Sequence, residues 1–80
     1  MPIQTARHIN LRAVLVQLER EGVVGYEEQA QHLGNVTAQR LAEMDRGATI
    51  DTLFAEHVEW ALHRRRGWMD ESHDNDPLET

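Results

Sequence analysis

The 80-residue chain contains no cysteine, which excludes a disulfide framework and the thiolate zinc sites and leaves packing alone to hold the core. Lysine is also missing, so all eight cations are arginine. Arginine suits planar, bidentate contacts to anions, although coding by a GC-rich genome produces the same bias. Long apolar runs are absent as well. Ala13 to Val16 and Val23 to Val24 fall far short of the roughly 20 residues that cross a bilayer. Met1 to Asn10 lacks the apolar stretch of a secretory signal, so the expected location is the cytoplasm, away from any membrane.

With 40% hydrophobic residues, a chain of this length buries one modest core, and splitting it would leave neither half enough apolar surface to fold. The formal net charge is -6, from eight cations and fourteen acids. Five of the acids, Asp70, Glu71, Asp74, Asp76 and Glu79, lie in the last eleven residues, a stretch with no arginine. The body is therefore nearly neutral. Residues 71–80 are polar, acidic and interrupted by Pro77, with nothing to bury, and are expected to be a disordered tail behind a single domain at 1–70.

Ile9, Leu11, Val14, Leu15 and Leu18 match the i, i+3, i+4, i+7 stripe of an amphipathic helix from about Ala6 to Glu21, with Thr5 as its cap and Gly22 as its end. Val23-Val24, between Gly22 and Gly25, is expected to plug the core. A short second helix spans Tyr26 to Leu33, with Glu27 and Glu28 in the first turn where the dipole favours carboxylates. Gly34-Asn35 breaks it. Val36, Leu41 and Met44 resume helical spacing through Arg46, and Gly47 stops that third helix. Thr49 or Asp51 caps a fourth, running to about Arg65, whose inward stripe is Leu53, Phe54, His57 or Val58, Ala61 and Leu62, with Trp60 at its margin. Gly67-Trp68-Met69-Asp70 then forms a tight turn that folds two large apolar side chains onto the core. The expected fold class is all-α, with four to five helices.

Two short helices that cross closely need a small residue in the first, a glycine at the turn and apolar anchors in the second. Ala30, Gly34, and Val36, Leu41 and Met44 meet these needs in turn. Thr37, Ala38, Gln39, Arg40, Ala42, Glu43 and Arg46 are left facing outward.

Four stretches, in this order and spacing, carry a resemblance over roughly residues 9–70: Ile9 to Arg12, Glu28 to Gly34 with Val36-Thr37, Arg40 to Gly47, and Phe54 to Leu62 followed by Gly67-Trp68-Met69-Asp70. Together they resemble the lambda-repressor-like, Cro-type (XRE-like) helix-turn-helix family of phage and prophage regulators. The resemblance implies a non-enzymatic transcriptional regulator at the nucleoid that binds double-stranded DNA as a homodimer, with the third helix, about 37–46, in the major groove. It implies base or phosphate contacts from Thr37 and Gln39, a bidentate guanine contact or a phosphate clamp from Arg40, and backbone contacts from Arg46 and Arg12. The chain departs from the family pattern twice. Asn35 lengthens the turn by one residue, which would rotate the third helix in its groove. Glu43 puts a carboxylate on the reading face, where it would accept a hydrogen bond from cytosine N4. No cofactor is implied.

Other signals are weaker. The five histidines include no pair at i, i+3 or i+4 and no HExxH helix, so no metal site is expected. Glu56 and Glu59 flank His57 without a serine or cysteine to activate. Arg64-Arg65-Arg66 would grip phosphate, favour a helix C-terminal dipole, or pair with the acidic tail in competition with DNA. Trp60, Trp68 and Met69 would serve as core or as a dimer seam. The competing reading of the whole is a protein-interaction module or anti-repressor on the same fold, using Glu27, Glu28, Glu43 and Asp45 as a continuous negative face.

Overall fold

Leu11, Val14, Leu15 and Leu18 line one side of an 18-residue helix, α1 (Ile3–Arg20), and form the floor of the core. The computed structural model describes residues 3–34 and 36–71. Three further helices follow: α2 (Tyr26–Leu33), α3 (Ala38–Asp45) and α4 (Thr52–Ala61), then a 3-10 turn at Trp68–Asp70. No strand occurs among the described residues, so the chain is all-α. Ala30 and Leu33 from α2, Leu41 and Met44 from α3, Ile50 from the α3–α4 loop, Phe54, Ala55 and Val58 from α4, and Met69 close over α1.

The helix at the N-terminus begins earlier than its apolar stripe suggests. Thr5 lies inside α1 and does not cap it, because the first turn is tied down from across the molecule. Gln4 exchanges two hydrogen bonds with the backbone of Ile50, its Nε2 donating at 2.8 Å and its Oε1 accepting at 2.9 Å. Both ring nitrogens of His8 face carbonyl oxygens, of Gln4 and Ala48, at 2.7 Å. The inward face is also rotated from the expected one. Ile9 is 47% exposed, and Arg7 and Asn10 occupy the buried positions one turn before Leu11 and Val14. Val23 packs on the core whereas Val24 points out.

Thr37 caps α3, its Oγ1 accepting from the Arg40 N–H at 3.1 Å, and Asp51 caps α4 by accepting from Phe54 N–H at 2.7 Å. These bonds satisfy amide donors that a helix start leaves without partners. Asp51, not Thr49, is therefore the cap of α4. The inward face of α4 is Phe54, Ala55, Val58 and Glu59, with Leu62 partly buried beside it. Leu53 turns outward, contrary to the expected stripe, and Trp60 is exposed. The helix stops at Ala61 and not near Arg65, because His63 adopts φ 56 and the Arg64 N–H bonds back to the Glu59 carbonyl at 2.7 Å. That is the six-to-one closure of a helix end, made here without glycine.

The turn at the C-terminal side docks on α1 and α4 as expected, through a polar network that sequence spacing does not reveal. Met69 is fully buried. Asn10 Nδ2 donates toward the carbonyls of Met69 and Glu71 at 2.8 Å and of Trp68 at 3.2 Å. Glu59 Oε2 accepts from Met69 N–H at 2.8 Å, and Arg7 clasps Asp70 at 2.6 Å while donating to Ile50 O at 2.8 Å. The hydrogen bond to Asp70 holds the Arg7 guanidinium above its ordinary pKa despite burial, so the buried residue stays cationic. Of the expected tail, Glu71 alone is described, and residues 72–80 lie outside the described residues.

Candidate nucleic-acid interface

Gly34 sits between α2 and α3 with φ 78 and ψ 161, and its N–H bonds to Ala30 O at 2.8 Å. That region of backbone space is essentially restricted to glycine. A β-carbon there would also stand 3.0 Å from Nε2 of His57 on α4. The extra residue of the turn, Asn35, lies outside the described residues. Buried Ala30 lets α2 and α3 pack closely, and buried Leu41 and Met44 fix the rotation of α3 about its axis.

With that face inward, Gln39, Arg40, Glu43 and Arg46 are exposed along the opposite side of α3, and Thr37 is exposed at its start. These side chains, three from α3 and Arg46 from its C-cap, do not form a bare cationic stripe. Gln39 Nε2 lies 3.4 Å from one oxygen of Glu43 and Arg40 Nη1 lies 3.7 Å from the other. Arg40 Nη2 also donates to Thr49 O at 3.1 Å, bracing the loop to α4. The guanidinium of Arg46 makes no hydrogen bond or ion pair among the described residues, its backbone N–H closing the end of α3 on Ala42 O and Glu43 O at 3.1 Å.

Arg12 stands apart from the start of α3 and meets its other end. Its Nη1 donates to Asp45 at 3.0 Å, and the Tyr26 hydroxyl donates to the same carboxylate oxygen at 2.7 Å. The Asp45 side chain is only 6% exposed, so it does not join Glu27, Glu28 and Glu43 in a continuous negative face. The hydrogen bond to Asp45, and after it burial, raises the Tyr26 phenol above the ordinary tyrosine pKa. Sequence reasoning missed this Tyr26–Asp45–Arg12 junction. Each partner comes from a different helix, so no spacing signals it.

Beside the α3 N-terminus an open cleft of about 430 Å³ is lined by Val36, Thr37, Arg40, Met44, Asp51, Leu53 and Phe54. The arginine run is engaged elsewhere. Arg64 lies over the Trp68 ring, 4.9 Å from its centroid, Arg65 pairs with Glu71, and Arg66 donates to Glu56 at 3.2 Å. Because α4 ends at Ala61, the run lies beyond its last turn and does not serve the α4 dipole. Among the described residues no three His, Asp or Glu side chains gather as metal ligands, and no helix is long and apolar enough to cross a membrane.

No family model matches this chain, and no curated protein or solved structure matches it either.

Proposed function

We propose that the chain is a sequence-reading, DNA-binding transcriptional regulator of the lambda-repressor and Cro type, of phage or mobile-element origin. In this reading α2 and α3 are the helix-turn-helix, and α3 lies in the major groove. One observation carries it. α3 is locked by Leu41 and Met44 across a glycine-restricted turn from α2, and this leaves Gln39, Glu43 and Arg46 outward on a single face.

Gln39 is suited to a bidentate contact with adenine, and Glu43 to accepting from cytosine N4. Arg40 would have to leave Glu43 to reach guanine or a phosphate, whereas Arg46 can approach a phosphate with no internal bond to break. Thr37, as the cap, sets where the first turn of α3 begins, and its exposed side chain lies near that end of the groove. Arg12 holds Asp45 and would reach a flanking phosphate only at the edge of the contact. The alternative reading, an interaction module with a continuous acidic face, is weakened by the withdrawal of Asp45 beneath Tyr26 and Arg12.

Selection from a random duplex library at low salt tests the proposal. It is expected to enrich a short pseudo-palindrome with half-sites about 10 base pairs apart, and Gln39→Ala should relax the preference at one position of each half-site. Recovery of no common motif would favour the protein-interaction reading.

A further inference from the structure

A hollow of about 100 Å³ beside Arg7 is small, and its charges are already matched. Arg7 pairs there with Asp70, Arg66 pairs with Glu56, and Glu59 accepts from the Met69 N–H. The cleft between the starts of α3 and α4 differs in size and in wall. At about 430 Å³ it falls within the range of roughly 300–1,000 Å³ that holds small molecules. Val36, Met44, Leu53 and Phe54 give it an apolar side, and Arg40 from α3 and Asp51 at the start of α4 put one charge of each sign on its rim. These two do not neutralise each other. Among the described residues Arg40 forms its only ion pair with Glu43, at 3.7 Å, and Asp51 forms none. Asp51 uses Oδ1 to cap α4 and leaves Oδ2 open. Arg40 donates one N–H to Thr49 O, of the five that a guanidinium carries.

We propose that this cleft binds a free α-amino acid with an apolar side chain, its carboxylate on Arg40, its ammonium on Asp51 and its side chain against Val36, Leu53 and Phe54. A zwitterion complements both charges at once. A plain carboxylate would meet the repulsion of Asp51, and a plain amine that of Arg40. The side chain of the ligand covers Leu53, which is 68% exposed, and removes apolar surface of both from water. Thr37 Oγ1 accepts from the Arg40 N–H, so its hydroxyl proton is left to donate to the ligand carboxylate. Arg40 and Asp51 both face water, which screens their attraction and sets a dissociation constant on the order of 1 mM. Thr37 and Arg40 also belong to the proposed contacts with DNA. On that reading an amino acid in the cleft and DNA exclude one another at Arg40, whereas the site itself does not depend on it.

The test is made on the chain without DNA, so its failure leaves the reading of α3 standing and the converse also holds. Backbone amide resonances are followed by NMR as L-leucine is added to about 50 mM, well above the expected dissociation constant. Saturable shifts are expected at Val36, Thr37, Arg40, Leu53 and Phe54. Isocaproate, which lacks the ammonium, and isoamylamine, which lacks the carboxylate, should each bind at least tenfold more weakly. Arg40→Gln removes the cation at an exposed helix position, and Asp51→Asn removes the anion while keeping a residue that caps a helix equally well. Both variants should therefore keep the fold, read as an unaltered dispersion of the core resonances, and each should weaken L-leucine about tenfold. Shifts that rise without saturating, binding that isocaproate or isoamylamine matches, or an affinity that either substitution leaves unchanged would each overturn the proposal.

Discussion

At Gly34 two independent constraints meet, a backbone conformation at φ 78 and ψ 161 and the His57 ring 3.0 Å from any added β-carbon. Gly34→Ala should therefore cost about 2–3 kcal/mol, read as a lower urea midpoint with an unchanged slope. Because most of that cost is in the backbone, adding His57→Ala should recover only a small part, and full recovery would place the strain in the side-chain contact. Tyr26 offers a second test. It is the only tyrosine of the chain, so the rise of phenolate absorbance with pH reports this one group. Its hydrogen bond to Asp45 favours the neutral phenol, and the transition should fall above the usual value near 10. The raised folded value means that the bond contributes stability at neutral pH, lost as pH climbs through the ordinary tyrosine value to the folded one. Asp45→Asn should bring the transition back toward 10, and an unmoved transition would show that burial alone holds it.

The elements differ in how they are held. α2, α3 and α4 start and stop on local signals, glycines, the caps Thr37 and Asp51 and the left-handed His63, whereas the 3-10 turn at Trp68–Asp70 is held by Glu59 and by Arg7 and Asn10, the latter two some 60 positions away in sequence. Asn10 is 3% exposed and serves three carbonyls of that turn. Asn10→Ala should cost about 1–3 kcal/mol by leaving buried acceptors without donors, and should raise the exchange rates of the Met69 and Asp70 amides before those of α3. Uniform loss of protection would mean that the turn is no separate unit. This contrast also explains what was legible in the sequence. Helix order, the Gly34 turn and the outward face of α3 follow from spacing and short-range punctuation. The rotation of α1 did not, because its inward positions one turn before Leu11 and Val14 are Arg7 and Asn10, which are tolerated there only through Asp70 and the turn carbonyls. The outward turn of Leu53 has the same origin, since Glu59 takes an inward place on α4 through its bond to Met69. The end of α4 was hidden because His63, not glycine, supplies the left-handed residue.

On the scale of the whole molecule, the acidic total of -6 coexists with an outward face of α3 where Arg40 and Arg46 stand near Glu43, while Arg12 pairs with Asp45 at the far end of the helix. If α3 enters the major groove as proposed, the net charge of -6 opposes the approach to DNA, and affinity would come from a few short contacts made by α3 and its neighbours that neutralise few phosphates. A shallow salt dependence follows, equivalent to about two to four phosphate contacts per copy. Whether the outward face of α3 meets DNA is read by fluorescence anisotropy with duplex DNA across a salt series, comparing the unaltered chain with the Gln39→Ala, Arg40→Ala double substitution and with Arg46→Ala. Binding is expected to be measurable at low salt and to weaken linearly on a log–log plot, with a slope smaller by about one for Arg46→Ala and a larger loss for the double substitution on the selected site than on random sequence. Absence of binding at low salt, or binding that none of these substitutions alters, would contradict it.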